Sequence, residues 1–263
     1  MPRVAALYRY PLKGFTPETC EVLTIRADGR VEGDRVLGLR FANTDAPDYA
    51  WSRKTGMLAL VNTAGLARLT VRYDHQTGQL GVWQGAEPLV AAGLDPEGRQ
   101  AIAQAIAAYV QALDDNPLTD HPERLPLRLV GDGRTPRHHD SEAGEVTLHG
   151  RASLGALGGA LDDSDLSEVR FRSNIAVEGL EAWEELGWGG RQVRIGAVPF
   201  QVSRVKTRCL ATHANPHTGR RDRPILTTLT KAFDQEKPTF AVAMRPTEGP
   251  GQVRVGDEVT LLD

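Results

Sequence analysis

The 263-residue chain has only two cysteines, Cys20 and Cys209. That is too few for a disulfide framework, so a reducing, cytoplasmic setting is expected. It also lacks any apolar run near the ~20 residues that span a bilayer. Its opening, MPRVAALYRYPLKG, is interrupted by Arg9 and Lys13 before a secretory core can form. No membrane partner is expected. Neither sign of charge dominates: 31 Lys and Arg stand against 34 Asp and Glu, for a net charge of −3. Without a basic field, nucleic acid is not an expected partner either.

Glycine and proline are plentiful, at 27 and 16 residues, and they punctuate short, β-branched apolar runs. This is the pattern of many short strands. Strands are expected over 4–10, 20–26, 35–42, 57–62, 67–73, 79–84, 127–130, 145–149, 174–179, 191–205, 239–244 and 253–262. Asp74 and Gly78 mark a hairpin loop between the fifth and sixth of these, and Gly256-Asp257 a turn or bulge in the last. The clearest helix covers 95–115, where Ile102, Ile106, Tyr109, Val110 and Leu113 recur at helical spacing behind Asp95-Pro96. A glycine-weakened helix is expected over 152–161, and shorter ones around 180–187 and 226–233. The proline-rich, charged stretch 114–126 reads as a linker or long loop. The expected fold is therefore mostly β (α+β) with a few short helices and barrel-like closure, divided into residues 1–115 and 116–263.

The most unusual stretch is SRVKTRCLATHANPHTGRRDRP, 203–224. It carries Arg204, Lys206, Arg208, Arg220, Arg221 and Arg223 against one acid, Asp222, with Cys209 inside the run. A thiol among cations is favoured as thiolate, the form that acts as nucleophile or soft-metal ligand. Cys209 is also compatible with a small core side chain, and the basic run with a solvated face. Cys209, His213 and His217 have the spacing of zinc ligands on a helix, but Asn215-Pro216 breaks that helix and the cations oppose a divalent ion. A Cys/His hydrolase using His213, His138 or His139 finds no supporting signature. A thiolate-ligated metal carried by an anionic cofactor accounts for the cysteine and the charge together. Cys20, outside any basic cluster, reads as structural.

RCLATHANPHTG (208–219), RFRSNIAVEG (170–179) and GQVRVGDEVTLL (251–262) resemble the MOSC domain. YRYPLKG (8–14), EGDRVLGL (32–39) and WSRKTGMLALV (51–61) resemble the β-barrel domain preceding it in the amidoxime-reducing branch of that family. The resemblance implies a pyranopterin molybdenum cofactor with Cys209 as the protein ligand to molybdenum. It implies that Lys13 and Arg53 hold the cofactor's phosphate and pterin, that Arg172 and Asn174 match an R-P-N signature, and that Thr207 precedes the Arg208-Cys209 pair. It further implies reduction of a small N-hydroxylated substrate, an amidoxime or hydroxylamine, by an external electron-donor protein of flavin, haem or iron–sulfur type. A non-catalytic molybdenum-cofactor or persulfide carrier is the alternative. The chain departs from the pattern at four positions: Gly14 stands where relatives have serine, Ser173 where they have proline, and Asn215 and His217 where they have aspartates. His138 and His139 are expected on a polar loop.

Overall fold

Short apolar runs between obligatory turns cannot bury a face alone, and here they do so by pairing across large sequence distances. The computed structural model describes residues 1–262. Its elements in order are β1 Arg3–Arg9, β2 Glu18–Cys20, β3 Val22–Ile25, β4 Gly38–Arg40, β5 Leu69–Asp74, β6 Gln79–Gln84, β7 Glu87–Ala92, α1 Pro96–Gln111 and β8 Arg128–Val130. There follow β9 Val146–Gly150, α2 Arg151–Ala160, β10 Ile175–Glu178, β11 Gln192–Ile195, β12 Val198–Thr207, α3 Ile225–Ala232, β13 Thr239–Pro246, β14 Gly251–Arg254 and β15 Val259–Leu262. The protein is mostly β with few helices.

The main sheet has eight strands in the order β15-β11-β12-β13-β9-β10-β1-β2, antiparallel except for the β9–β10 pair. Smaller sheets pair β14 with β3, β4 with β8, and β5, β6 and β7 in a meander. One core gathers side chains from Leu12 to Leu129, with Ala214, around α1 and the meander. A second lies on the main sheet, from Val4 and Leu7 through Val242 to Val259, and a third under α2 and α3. The first two interleave in sequence, because β1 pairs with β10 and β3 with β14, while β2 adds to the edge of β1.

Local chemistry explains the elements. Asp95 caps α1 by accepting from the Gly98 amide at 2.9 Å, Pro96 occupies the first turn, and Ile102, Ile106 and Val110 are fully buried on one face. In α2, Gly158 lets the chain return: a Cβ there would lie 2.6 Å from the Asp163 carbonyl oxygen. Three expectations are corrected. Residues 57–62 form a buried turn, because Asn62 accepts from the Ala59 amide at 2.9 Å and donates to the Met57 carbonyl at 2.9 Å. The stretch 191–205 folds back on itself as the β11–β12 hairpin at Gly196, whose φ is 54°. The helix expected at 180–187 is only a 3-10 turn, Glu184–Trp188, entered through Trp183 at φ 69°.

Candidate functional site

Between the first core and the main sheet lies a cavity of about 830 Å³, counting its open mouth. Six cations line it, Lys13, Arg35, Lys54, Arg172, Lys206 and Arg208, against two carboxylates, Asp140 and Glu145. Cys209 is in the same wall, with Ala59, Leu60, Val61 and Ala211 as an apolar stretch.

Lys13 follows the Pro11-Leu12 bend and is 4% exposed. Its Nζ donates to the His138 carbonyl at 2.8 Å and to Asp140 Oδ1 at 2.6 Å. Burial pulls its pKa down against the opposing pull of Asp140. Gly14 comes next at φ 86°, and a Cβ there would stand 2.8 Å from the Ala59 Cα. A serine at this position would force the backbone at Ala59 to shift.

Arg35 and Arg172 are both held in the left-handed region, at φ 51° and 55°. Each such non-glycine residue costs about 1–2 kcal/mol. Their guanidinium carbons lie 4.6 and 4.3 Å from the Tyr10 ring centroid, and Arg35 Nη2 donates to the Arg172 carbonyl at 3.1 Å. Arg35 also pairs with the fully buried Asp34, and Arg172 donates to the Phe15 carbonyl. Burial, reinforced by Arg35, lowers the Arg172 pKa to about 10. Asn174 lies beneath this pair, outside the cavity lining. Its Oδ1 accepts from the Thr147 amide at 3.2 Å and hydroxyl at 3.1 Å, and its Nδ2 donates to the Tyr8 carbonyl at 3.2 Å and to Asp34 Oδ2 at 3.3 Å. Its amide is fully used within the protein.

Arg53 is exposed and outside the lining, while its neighbour Lys54 faces the cavity. Thr207, exposed at the end of β12, pairs with Thr239 and is also outside the lining. Lys206, just before it, has its pKa pushed down to about 8 by burial and by Arg204 and Arg208. Arg208 donates to the Phe171 carbonyl, and its buried Nε has no partner.

Cys209 opens a 3-10 turn, Leu210–His213, and its carbonyl accepts from the Thr212 amide and hydroxyl, both at 3.0 Å. Arg170, 4% exposed, donates to the carbonyls of Thr212 at 3.5 Å and His213 at 3.1 Å. The following turn is closed by Asn215, whose Oδ1 accepts from the His217 amide at 2.8 Å and the Thr218 amide at 3.1 Å.

Sequence reasoning missed Arg35, Lys54, Lys206 and His139 as cavity residues. The two histidines expected on a polar loop are buried, at 0% and 6% exposure, and His139 joins the lining. Burial, with Lys13 nearby, lowers the pKa of His138 to about 4, and burial with Arg35 and Lys13 lowers that of His139 to about 3, so both rings are neutral at pH 7. Both ring nitrogens of His138 and Nε2 of His139 lack hydrogen-bond partners, so neither activates Cys209 as a hydrolase base would. His213 Nε2 accepts from the Leu226 amide at 3.3 Å. Among the described residues no three His, Cys, Asp or Glu side chains are grouped to hold a metal ion, which disposes of the zinc arrangement.

A strongly cationic cavity with a partnerless buried guanidinium nitrogen and one accessible sulfur fits an anionic group that carries a thiophilic centre. That class and the sequence relationships agree. Residues 135–260 match the family model described as the MOSC domain. Over 122 residues it is 36% identical to a molybdenum cofactor sulfurase of Drosophila grimshawi, covering 45% of this chain and 15% of the relative. Over 132 residues it is 33% identical to mitochondrial amidoxime-reducing component 1 of Mus musculus, covering 46% of this chain and 38% of the relative. The chain thus spans well under half the length of these curated relatives. Among solved structures, the YUAD protein from Bacillus subtilis aligns over 98% of this chain and 94% of its own, with 10% identity and a TM-score of 0.40. No helix among the described residues is long and apolar enough to cross a membrane.

Proposed function

We propose that the chain binds a pyranopterin molybdenum cofactor in this cavity and reduces N-hydroxylated compounds, with electrons from a separate redox protein. The observation that carries the reading is the placement of Cys209 in one wall with Lys13, Arg35, Arg172 and Arg208. When bound, the cofactor supplies two-electron reduction of an N–O bond. Cys209 would hold the metal through its sulfur, as the thiolate. Arg208, its chain neighbour, offsets the charge that the coordinated sulfur brings. Arg35, Arg172 and Lys13 receive the phosphate and pterin, with planar forks and a point charge respectively. Lys54 takes the place inside the cavity that the resemblance gives to Arg53, with Arg53 and Thr207 beside lining residues. Asn174 contributes from below, fixing Asp34 and thereby Arg35. The Ala59–Val61 segment and Ala211 offer an apolar wall to the body of an amidoxime or hydroxylamine. With two cysteines the chain has no thiolate set for a cluster of its own, so an external flavin, haem or iron–sulfur donor completes the scheme. In the same reading the eight-stranded sheet curls as the MOSC β-barrel, and residues 1–115 and 116–263 are the two units, with β1 to β3 crossing into the second.

Protein purified from a cofactor-competent host is expected to carry stoichiometric molybdenum, lost in Cys209→Ala, and to oxidise a reduced dye when benzamidoxime is added. Molybdenum content indifferent to Cys209→Ala would overturn the reading. Metal bound through Cys209 without turnover would favour the carrier alternative.

A further inference from the structure

The turn that presents Cys209 is tied down by one ion pair, between the buried Arg170 and the partly exposed Asp222. Arg170 points its guanidinium at the Thr212 and His213 carbonyls on one side, and on the other grips Asp222 with both Oδ1 at 2.9 Å and Oδ2 at 3.1 Å. Arg170 belongs to the 3-10 turn Glu168–Phe171, whose continuation is the cavity residue Arg172. The same guanidinium therefore couples the sulfur-bearing turn to the segment that carries Arg172. Asp222 is not free to move away. Asn215 Nδ2 donates to its Oδ2, its backbone amide donates to the His213 carbonyl at 3.3 Å, and a β-bridge joins Ala214 to Arg221.

Position 215 is where the resemblance leads one to expect aspartate, and the geometry says why this chain has asparagine. A carboxylate at 215 would still accept from the His217 and Thr218 amides, but it would meet the Asp222 carboxylate where Nδ2 now donates. Two carboxylates in contact cannot both stay ionised without cost. We propose that Asp222, acting through Arg170, is the positioning carboxylate of the Cys209 turn, and that Asn215 is present because Asp222 supplies the negative charge there.

The consequence for cofactor binding rests on Cys209 being the metal-holding thiol; the consequence for the turn itself does not. The experiment is a cycle of Asp222→Asn, Asn215→Asp and the double variant, with Arg170→Lys as a further probe of the two-pronged contact. Asp222 and Asn215 are partly exposed and the exchanges are nearly isosteric, so the variants should fold, which thermal unfolding verifies. The first readout uses the cofactor-free chain: the iodoacetamide alkylation rate at Cys209, resolved from Cys20 by peptide mass spectrometry. Asp222→Asn, Asn215→Asp and Arg170→Lys are each expected to raise it by about threefold or more, and the double variant to return within about twofold of the parent, as residues of one network couple. The second readout is molybdenum per chain after expression in a competent host, expected to fall in the single variants and recover in the double. An unchanged alkylation rate in Asp222→Asn, or a double variant worse than either single, overturns the proposal. Altered alkylation with molybdenum retained in every variant overturns its link to metal holding. If the parent chain itself carries no molybdenum while the alkylation cycle behaves as stated, the positioning role stands and the cofactor reading falls.

Discussion

Gly14 offers the sharpest test of how the cavity is built. Replacing it by serine restores the residue that relatives have after the lysine, and a purely functional view expects a gain in anion binding. The structure requires the opposite. At φ 86° an L side chain is strained by about 1–2 kcal/mol. The added Cβ would also sit 2.8 Å from the Ala59 Cα and 3.2 Å from the Leu58 carbonyl oxygen. Both are main-chain atoms of a buried turn, so relief needs a backbone shift, for which overpacking costs of about 1–3 kcal/mol are usual. A total near 2–5 kcal/mol should lower the Tm by roughly 5–15 °C for a chain of this size. Because the penalty comes from Cβ and not from the hydroxyl, Gly14→Ala should match Gly14→Ser within about 0.5 kcal/mol in denaturant unfolding. Either variant unfolding at the parental midpoint, or serine clearly outperforming alanine, would refute this account of the Lys13 turn.

Three other outcomes follow from the charges. Asp34→Ala strands the buried Arg35 without its carboxylate and should cost about 3–5 kcal/mol in chemical unfolding; a loss under ~1 kcal/mol would show that other groups neutralise Arg35. Lys206 loses its proton around pH 8 in the native chain, so sulfate affinity measured by calorimetry should decline from pH 7 to 9.5, and Lys206→Met should flatten that decline. The native pKa of His138 lies near 4, below the unfolded value of 6.5, so the unfolded chain binds the extra proton as pH drops through that window. Stability at pH 4 should accordingly be about 3 kcal/mol lower than at pH 7 on account of His138 alone, and His138→Gln should remove that increment in urea titrations.

The sequence was most informative where a single local rule decides the outcome. Asp95-Pro96 and the apolar spacing behind it located α1, and Asp74 to Gly78 located the β5–β6 loop, because capping and turn chemistry act over a few residues. The 57–62 stretch misled because Met57 to Leu60 are consecutively buried in a turn held by Asn62, and periodicity cannot tell that from a strand. β7 escaped notice since Pro88 and its neighbours alternate weakly. In the site, Lys13, Arg172, Arg208 and Cys209 were visible as motif residues. Arg35 and His139 were not: their place in the wall depends on two left-handed arginines, Tyr10 and a buried Asp34, which only tertiary pairing assembles.

The stitching of the two chain ends has a bearing on how the protein is made. β3 pairs residue for residue with β14, and the Val4 amide donates to Asp257 while Val259 donates back to Pro2. On a ribosome delivering the chain from its amino terminus, β1 can pair early with β2, but β3 waits for its partner until β14 emerges. Such far-separated contacts close late and slowly. A nascent chain stalled before β14 would therefore present the open edge of β3 for chaperones or aggregation to claim.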